Sequence, residues 1–300
     1  SMGGALYNIP IESPQGVNGL MPSLSISYNS QSGNGIIGWG WHLNGLSSIT
    51  RVSKTIYHNG YNYGVSFEND DYAIDGNRII IGSDEEYHTE VESFSKITIN
   101  GTYSTPTSFR VETKSGLIYE YNYAVTAGTA TIQWLLSKIL DPRGNFIQFN
   151  YAQENCVAWP VSIDYAGNSI KFIYEKREDI TTGYINGAVA EQSKILKKIR
   201  TTAENSLFRE YEFKYFKAST EVYSKLVEVT LKGSNNQQCN STLINWHPST
   251  SSGLLSSTIN NSSSVDVIIG DYNGDGKSEI LQIGDYGEYT IYNYNNGWEI

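Results

Sequence analysis

The feature that most limits how this chain can fold is a series of short segments in which apolar and polar residues alternate. In Phe208–Phe216 aromatic residues alternate with charged ones, and Phe146–Tyr151 and Leu117–Tyr123 repeat the pattern with aliphatic and aromatic residues. Successive side chains of a β-strand point to opposite faces of the sheet, so this spacing predicts antiparallel strands with one packed face and one solvated face. We therefore predict an all-β fold.

Turn residues join these segments into hairpins. One hairpin spans Leu136–Tyr151 and turns at Asp141–Asn145, and a second spans Val161–Tyr174 and turns at Ala166–Asn168. Both turns carry Gly-Asn, residues that tolerate the left-handed backbone of tight turns. A repeat of about 20 residues that contains one hairpin predicts an antiparallel hairpin-repeat sheet, a continuing wall of β-structure, in place of a closed compact core.

Helical patterns are sparse in the sequence. Glu191–Ile199 places Ile195, Leu196 and Ile199 at helical spacing, but the alternation of Ile195, Lys197 and Ile199 fits a strand equally well, and the neighbouring patterns favour a strand. No apolar run approaches the roughly 18 residues of a membrane-spanning helix. We therefore expect no transmembrane segment.

Composition agrees with β-structure and argues against some partners. The chain of 300 residues has 23 Tyr and 28 Gly, and only 17% of its residues are charged, against about 25% in a typical soluble protein. Its net charge of −10 argues against binding to nucleic acid or to an anionic membrane, which both need clustered positive charge. Cys156 and Cys239 cannot form a disulfide framework; each is expected to be a small buried residue, with one disulfide between them as the alternative.

The sequence also suggests how the chain is divided. Residues 1–3 include what looks like the remnant of an expression tag, and residues 4–247 carry the strand patterns of the main β domain. Ser, Thr and Asn dominate residues 248–264, which indicates a linker. Residues 265–300 contain about four short strands, too few for a stable core. We expect this last segment to be the truncated start of a second, repeating domain.

The strongest chemical signal lies in the segment DYNGDGKSE, which begins at residue 271. Oxygen-bearing side chains occupy its positions 1, 3, 5 and 9, and position 6 is Gly. Calcium takes about six to eight oxygen ligands, which a tight loop can supply. The predicted metal ligands, with the lysine contributing its backbone carbonyl, are Asp271, Asn273, Asp275, Lys277 and Glu279. The loop is not an EF-hand, because position 12 is Gln282 and not Glu. A hairpin turn without a metal is the alternative.

Gly33–Gly38 matches the G-x-G-x-x-G pattern of dinucleotide sites but lacks their context. In those sites a helix begins directly after the glycines, and its N-terminal amides bind the pyrophosphate. Here Trp39-Gly40-Trp41 follows, and a helix with this glycine content is unfavourable. We predict a glycine-rich loop in which the two Trp rings pack where the backbone passes closely.

We predict neither a catalytic site nor a cofactor-binding site other than the calcium loop. The histidines lack metal-ligand spacing and are expected on the surface or in packing roles; they are His42, His58, His88 and His247. No G-x-S-x-G nucleophile motif is present. Solvated turns and strand faces explain the acidic pairs Asp70-Asp71, Glu85-Glu86 and Glu178-Asp179, although a glycosidase carboxylate pair stays open as an alternative.

Short motifs are dense near the N-terminus. They are Ile9–Glu12, Pro14–Gly16, Gly19-Leu20, Pro22–Ile26, Tyr28–Ser30, Gly33–Gly35, Gly38–Trp41 and Ile49–Arg51. This set closely resembles the N-terminal signature of the SpvB / insecticidal toxin complex B-subunit (TcaC/TcdB-like) family. The likeness continues to about residue 247, where the later hairpins resemble Rhs/YD repeats. Residues 265–300 look like an FG-GAP/VCBS-type repeat, a β-propeller blade whose calcium loop matches the segment from Asp271 to Glu279.

The resemblance implies an architectural role. In toxin complex B subunits this region begins a β-sheet shell, which encloses a toxic C-terminal domain, and it leads into a propeller that docks the pore-forming partner. SpvB also carries an ADP-ribosyltransferase in a separate domain, whose Ser-Thr-Ser segment precedes a Glu-x-Glu pair. Here Ser249–Ser251 follows both such pairs, Glu90–Glu92 and Glu210–Glu212. The transferase part of the family is therefore not expected in this chain.

These observations lead to one expected function and one alternative. We expect a non-catalytic structural and assembly module of a large secreted or surface-delivered Rhs-type toxin. Its partners would be the downstream Rhs shell and toxin domain of the same polypeptide and, through the propeller, a pore-forming subunit. Secretion or the bacterial surface is the expected location, with delivery into the host cytoplasm as the alternative. The competing function is an extracellular calcium-dependent adhesin or glycan-binding module, suggested by Trp39, Trp41 and the Tyr-rich strand faces.

Overall fold

The computed structural model describes residues 3–83, 85–219, 221–246, 266–270, 279–283, 289–294 and 298–299. Backbone contacts divide the chain into two compact units, Ser1–Asn245 and Trp246–Ile300. The predicted linker, residues 248–264, lies outside the described residues, so its boundaries stay a prediction. Among the described residues, no helix is both long enough and apolar enough to cross a membrane.

The first unit begins with a small antiparallel sheet in the strand order β1-β2-β5. These strands are β1 (Leu6–Ile11), β2 (Leu24–Asn29) and β5 (Trp41–Asn44). Between β2 and β5 the chain forms a short hairpin of β3 (Asn34–Gly35) and β4 (Gly38–Trp39). The G-x-G-x-x-G segment is thus a β-hairpin, which confirms that no helix follows its glycines.

A long antiparallel sheet makes up the rest of the first unit. Its strands are β6 (Ser48–Val52), β7 (Asp71–Ile74), β8 (Asn77–Ile81), β9 (Tyr87–Thr89), β10 (Lys96–Gly101), β11 (Pro106–Glu112), β12 (Ile118–Tyr121), β13 (Tyr123–Ala127), β14 (Ala130–Leu135), β15 (Lys138–Leu140), β16 (Phe146–Glu154), β17 (Val157–Tyr165), β18 (Asn168–Ile185), β19 (Ala188–Ala203), β20 (Ser206–Phe216), β21 (Lys225–Lys232) and β22 (Thr242–Leu243). Consecutive strands pair from β6 to β12 and from β15 to β22. β12 pairs with β15, while the β13–β14 hairpin joins β6 through β14.

The pairings confirm the predicted all-β fold and its hairpins. β15 pairs with β16 around Asp141–Asn145, and β17 pairs with β18 around Ala166–Asn168. Ala166 and Gly167 have φ of 48° and 79°, the left-handed backbone that the turn composition predicted. Glu191–Ile199 lies within β19, so the strand interpretation of this segment is confirmed. The described helices are a 3-10 turn at Val17–Gly19 and one α-helical turn, α1 (Ile56–Asn59).

The sheet curves so that distant strands share one aromatic core. Tyr72 on β7, Phe109 on β11 and Trp134 on β14 are fully buried, and their ring centroids lie 5.1–5.5 Å apart in edge-to-face geometry. Edge-to-face pairs of this kind add to the burial energy of large rings. The cluster therefore stabilises the curvature that brings β14 back to β6.

The second unit contains four short antiparallel strands. They are β23 (Asp266–Gly270), β24 (Glu279–Ile283), β25 (Tyr289–Tyr294) and β26 (Trp298–Glu299), paired in sequence order. The number of strands agrees with the four short strands expected from the sequence; that they form a propeller blade stays a prediction.

Candidate assembly site

The N-terminal signature contacts the long sheet through the glycine-rich hairpin of β3 and β4. The Ile36 carbonyl accepts a 2.8 Å hydrogen bond from the Leu196 amide of β19, and the Trp39 amide donates one of 2.9 Å to the Ser224 carbonyl before β21. Ile37 between them is fully buried. The Trp39 ring stacks on Tyr223 with centroids 4.8 Å apart. The hairpin thus joins the first sheet to two strands far away in sequence.

Close backbone approach explains the glycines of this hairpin. A Cβ atom at Gly38 would lie 2.6 Å from the Ser224 carbonyl oxygen, and one at Gly35 would lie 2.5 Å from the Trp41 carbonyl oxygen. Gly38 also has a φ of +87°, a conformation that L side chains rarely adopt. These contacts confirm the prediction that the glycines allow close backbone passage around the Trp residues.

A buried ion pair lies under the same hairpin. The pairing of β18 with β19 is irregular between Lys176 and Thr181, and this irregular segment directs Arg177 and Asp179 into the interior. Their side chains are 0% and 1% exposed. The guanidinium Nε and Nη2 each donate to one Asp179 oxygen at 3.1 Å, the bidentate geometry that gives the strongest Arg–carboxylate pairing.

Every charge of the pair has further partners from the hairpin and from β21. Arg177 also donates to the Asn34 side chain at 2.9 Å and to the Gly35 carbonyl at 3.2 Å. Asp179 accepts from the Asn34 amide at 3.0 Å, from the Ser224 amide at 2.9 Å and from the Ser224 hydroxyl at 2.8 Å. A buried pair is tolerated when such bonds satisfy its remaining donors and acceptors. We call these four residues, Asn34, Arg177, Asp179 and Ser224, the lock.

The lock also sets the protonation state of its carboxylate. Burial alone would raise the pKa of Asp179, but the bonds from Arg177 and from the Ser224 amide and hydroxyl lower that pKa to about 2. The carboxylate is therefore ionised at neutral pH. Since its oxygens already accept five hydrogen bonds from Arg177, Asn34 and Ser224, it has no free acceptor for a substrate proton. The arrangement fits mechanical attachment and not acid–base catalysis.

The segment that connects β1 to β2 crosses the sheet as a strap. Tyr211 accepts a 2.9 Å hydrogen bond from the Glu12 amide, Tyr165 donates one of 2.7 Å to the Pro14 carbonyl, and Asn168 donates one of 3.1 Å to the Gln15 carbonyl. These partners lie on β20, β17 and β18. The signature motifs near residues 12–16 therefore bind the tyrosine-lined face of the hairpin repeats.

A second buried cluster corrects the interpretation of the acidic pairs. Asp70 and Asp71 are 1% and 7% exposed, so solvated turns do not explain them. Arg51 pairs with Asp70 at 3.2 Å, and Asp71 accepts from Arg78 at 2.8 Å and also from Lys54. The same correction applies to Asp179, whereas Glu178 beside it is exposed. The burial of these carboxylates depends on basic partners that are not adjacent in sequence, and local sequence patterns do not show those partners.

The predicted solvated face of β20 also differs in part. Glu210 is only 4% exposed, because Arg200 binds it with Nε at 2.8 Å and Lys198 and Lys232 lie at 3.4 and 3.3 Å. Burial opposes ionisation of Glu210, but Arg200, Lys198 and Lys232 lower its pKa. This face is an ion-pair network across strands and not a row of isolated solvated charges.

The predicted metal ligands fall largely outside the described residues. Asp271, Asn273, Asp275 and Lys277 lie in the segment 271–278, which the structure does not describe. Glu279 begins β24 and is 3% exposed. Gly270 and Glu279 are cross-strand partners, so the two ends of the predicted calcium loop meet in one hairpin. Calcium binding stays a prediction.

Other sequence expectations have mixed outcomes. Trp41 is 1% exposed, and Trp39 is half-buried and stacks on Tyr223, so both Trp rings take part in packing, as predicted for this segment. His58 and His88 lie near Glu90 and Glu92, at 3.4 and 3.9 Å. His42 is partly buried, and this burial lowers its pKa. Among the four, His247 lies outside the described residues.

Both cysteines are free thiols. Cys156 is 8% exposed, as expected for a small buried residue, whereas Cys239 is exposed. The two therefore form no disulfide with each other, and the expectation of burial is wrong for Cys239. Cys239 lies in the loop between β21 and β22.

The fold is shared with toxin proteins. The N-terminal domain of the effector protein SpvB from Salmonella typhimurium strain LT2 is 16% identical, with a TM-score of 0.62 over 75% of this chain and 98% of that one. The Tc holotoxin pore of Photorhabdus luminescens is 16% identical with a TM-score of 0.73, and TcdB2-TccC3-Cdc42 is 15% identical with a TM-score of 0.70; each match covers 99% of this chain. The chain spans only 19% of the length of these two toxin chains.

Sequence comparison adds evidence at the N-terminus. No curated protein sequence matches the chain significantly. The sequence model of the family described as SpvB, Salmonella virulence plasmid 65kDa B protein, matches residues 1–122. This range contains the strap, the glycine-rich hairpin and the Asp70-Asp71 cluster. Residues 1–122 of the chain therefore match the SpvB family model, and the described structure has the all-β fold that the SpvB N-terminal domain and the Tc toxin structures share.

Proposed function

We propose that this chain is a non-catalytic structural and assembly module of a large secreted Rhs/Tc-type toxin. The supporting observation is the lock, in which the motif-rich N-terminal hairpin binds the buried charges of β18, and Ser224, directly before β21, binds the same carboxylate. Such an attachment holds a wide hairpin sheet in one shape. The shared fold with SpvB and Tc toxin structures supports the same role.

In this proposal the sheet is one part of a β shell that encloses a toxic C-terminal domain of the same polypeptide. Residues 265–300 begin an FG-GAP/VCBS-type propeller that docks a pore-forming subunit. The long polypeptide is secreted or displayed at the bacterial surface; delivery into the host cytoplasm is the alternative. Support comes from the hairpin repeats and from the four-stranded meander of the second unit.

Resistance of the C-terminal segment to a protease tests whether the sheet is part of an enclosing shell. The experiment uses the chain together with the downstream polypeptide that the proposal requires. We expect the C-terminal segment to resist a protease in the wild type and to be digested in Asp179→Ala, because the wall then loses its attachment. Lys96→Ala is the matched control, since Lys96 forms an exposed pair with Glu86. Rapid digestion of the C-terminal segment in the wild type would contradict enclosure.

We also propose that Ca²⁺ binds at Asp271, Asn273, Asp275, Lys277 and Glu279 and orders residues 265–300. The pairing of Gly270 with Glu279 supports a fit, because it brings together the two ends of an oxygen-rich segment. Calcium should raise the melting temperature of the second unit, and Asp275→Ala should remove that rise. An unchanged calcium response in Asp275→Ala would place the ion elsewhere.

The alternative function, an extracellular calcium-dependent adhesin or glycan-binding module, has one favourable observation. Tyr57 on α1 and Tyr61 and Tyr63 in the segment that follows it are 87%, 50% and 60% exposed, and exposed aromatic rings can stack on sugars. A glycan array with calcium present tests it: binding that is lost in Tyr57→Ala would favour the adhesin over the shell module.

A further inference from the structure

A groove outside the lock combines positive charge with uncommitted polar side chains. It has a volume of about 640 Å³ and lies on the face of β18–β21 that carries the ion-pair network. Its charged lining is Lys171, Arg200 and Lys232 with a single carboxylate, Glu210. Lys232 also pairs with Glu212 outside the lining, at 3.3 Å, so the excess positive charge of the groove lies at Lys171 and Arg200, in a protein of net charge −10.

The charges form one row across four strands. Lys171 is the cross-strand partner of Arg200, Arg200 of Glu210, and Glu210 of Lys232. Two like charges directly opposite each other destabilise an antiparallel pair. Arg200 is compensated by Glu210, but Lys171 makes no ion pair or side-chain hydrogen bond with any residue that the structure describes. Lys171 therefore lacks an anion among the described residues.

Nearby carboxylates are already used. Asp164 on β17 accepts from Ser169 at 2.6 Å, from Asn150 at 2.8 Å and from Ser162 at 2.9 Å. Arg200 binds Glu210 through Nε and Nη2, so its Nη1 is the donor without a partner among the described residues. An external oxyanion that enters between Lys171 and Arg200 would meet an ammonium and a guanidinium donor, both strong partners for such groups.

The other residues that line the groove indicate what kind of ligand would carry the anionic group. Asn205 lies at the β19–β20 turn, and Ser234 and Asn236 lie in the β21–β22 loop; all three are exposed and line the groove. Within the described residues their side chains make no hydrogen bond. Leu207 is the one apolar side chain of the lining. Peptide partners need apolar or aromatic anchors, whereas a polyhydroxylated ligand matches free amides and hydroxyls.

We propose that this groove binds an anionic saccharide, with its sulfate or carboxylate between Lys171 and Arg200 and its hydroxyl groups on Asn205, Ser234 and Asn236. The inference does not depend on the shell function, because the groove is complete within β18–β22 and their turns. Proteolysis of the long polypeptide and saccharide binding can therefore fail independently.

Saturation-transfer NMR and calorimetry on the whole chain test the site. The probes are a sulfated disaccharide from heparin, sialyllactose, lactose, sodium sulfate and a hexaglutamate peptide. We expect the sulfated disaccharide, sialyllactose or both to bind, and affinity to fall as NaCl rises from 50 to 300 mM, because exposed charges are screened. Which of the two binds more tightly identifies the acidic group.

Lys171→Ala is the decisive variant. We expect at least a tenfold loss of affinity with an unchanged or slightly raised melting temperature, because the substitution removes a like-charge contact. Lys176→Ala is the matched control, since Lys176 is exposed on the same strand but lines a different groove; its affinity should equal that of the wild type.

Four outcomes would overturn the proposal. They are absence of binding by both anionic saccharides, equal binding of lactose, equal affinity in Lys171→Ala, and equal or tighter binding of hexaglutamate or free sulfate. The first outcome would contradict the binding site and the second its requirement for a charged ligand. The third would contradict the role of Lys171, and the fourth would contradict a saccharide as the ligand.

Discussion

Removing the carboxylate of the lock should destabilise the first unit strongly. Asp179→Ala leaves the Arg177 guanidinium buried without its counter-charge and leaves donors of Asn34 and Ser224 without an acceptor. Breaking a buried pair by deleting one partner costs about 3–5 kcal/mol. For a unit of this size that corresponds to a fall in melting temperature of roughly 6–20 °C.

The pKa of Asp179 gives a second, independent value for the stabilisation that its carboxylate provides. Asp179 has a pKa of about 2 against an ordinary value of 3.8, which corresponds to about 2 kcal/mol of stabilisation by its ionised form. This is smaller than the cost of deletion because protonation keeps the side chain in place. Since the folded-state pKa is lowered, the stabilisation is complete well above pH 4 and is lost as the pH falls from about 4 towards 2.

Urea denaturation followed by tryptophan fluorescence measures the effect, because Trp39 stacks on Tyr223 beside the lock. Ser224→Ala, which removes one hydroxyl donor, provides a milder variant and should cost about 1 kcal/mol. Lys96→Ala should change the free energy of unfolding by less than about 1 kcal/mol. If Asp179→Ala is no more destabilised than Lys96→Ala, or if the difference in free energy of unfolding between wild type and Asp179→Ala does not become smaller between pH 7 and pH 2, the reasoning is wrong.

Two further predictions concern the glycine-rich hairpin and the thiols. Gly38→Ala should lower the melting temperature measurably, because its Cβ would meet the Ser224 carbonyl at 2.6 Å and its φ is +87°, whereas Gly33→Ala has no atom within 4 Å and should be near neutral in the same thermal scan. Cys239 should react with a thiol reagent within minutes in the native protein, and Cys156 only on unfolding; mass spectrometry of the labelled peptides distinguishes them, and early labelling of Cys156 would refute its burial.

Much of the fold could be predicted from local sequence patterns. The alternation in Phe208–Phe216 and the Gly-Asn turns at Asp141–Asn145 and Ala166–Asn168 specify hairpins, because strand period and turn backbone depend on adjacent residues. The same patterns identified the glycine-rich segment as a loop. Its motifs also carried the family resemblance that the match over residues 1–122 confirms.

The candidate sites depended on tertiary structure. Asp179 looked like a solvated acid beside Glu178, yet partners 45 and 145 residues away bury it. The missing anion at Lys171 became visible only when strand register placed Arg200 opposite it. Periodicity indicates which face of a strand a side chain occupies, because that follows from the backbone. Which charged residue lies opposite it depends on how segments distant in sequence pair, and local sequence patterns do not show that pairing.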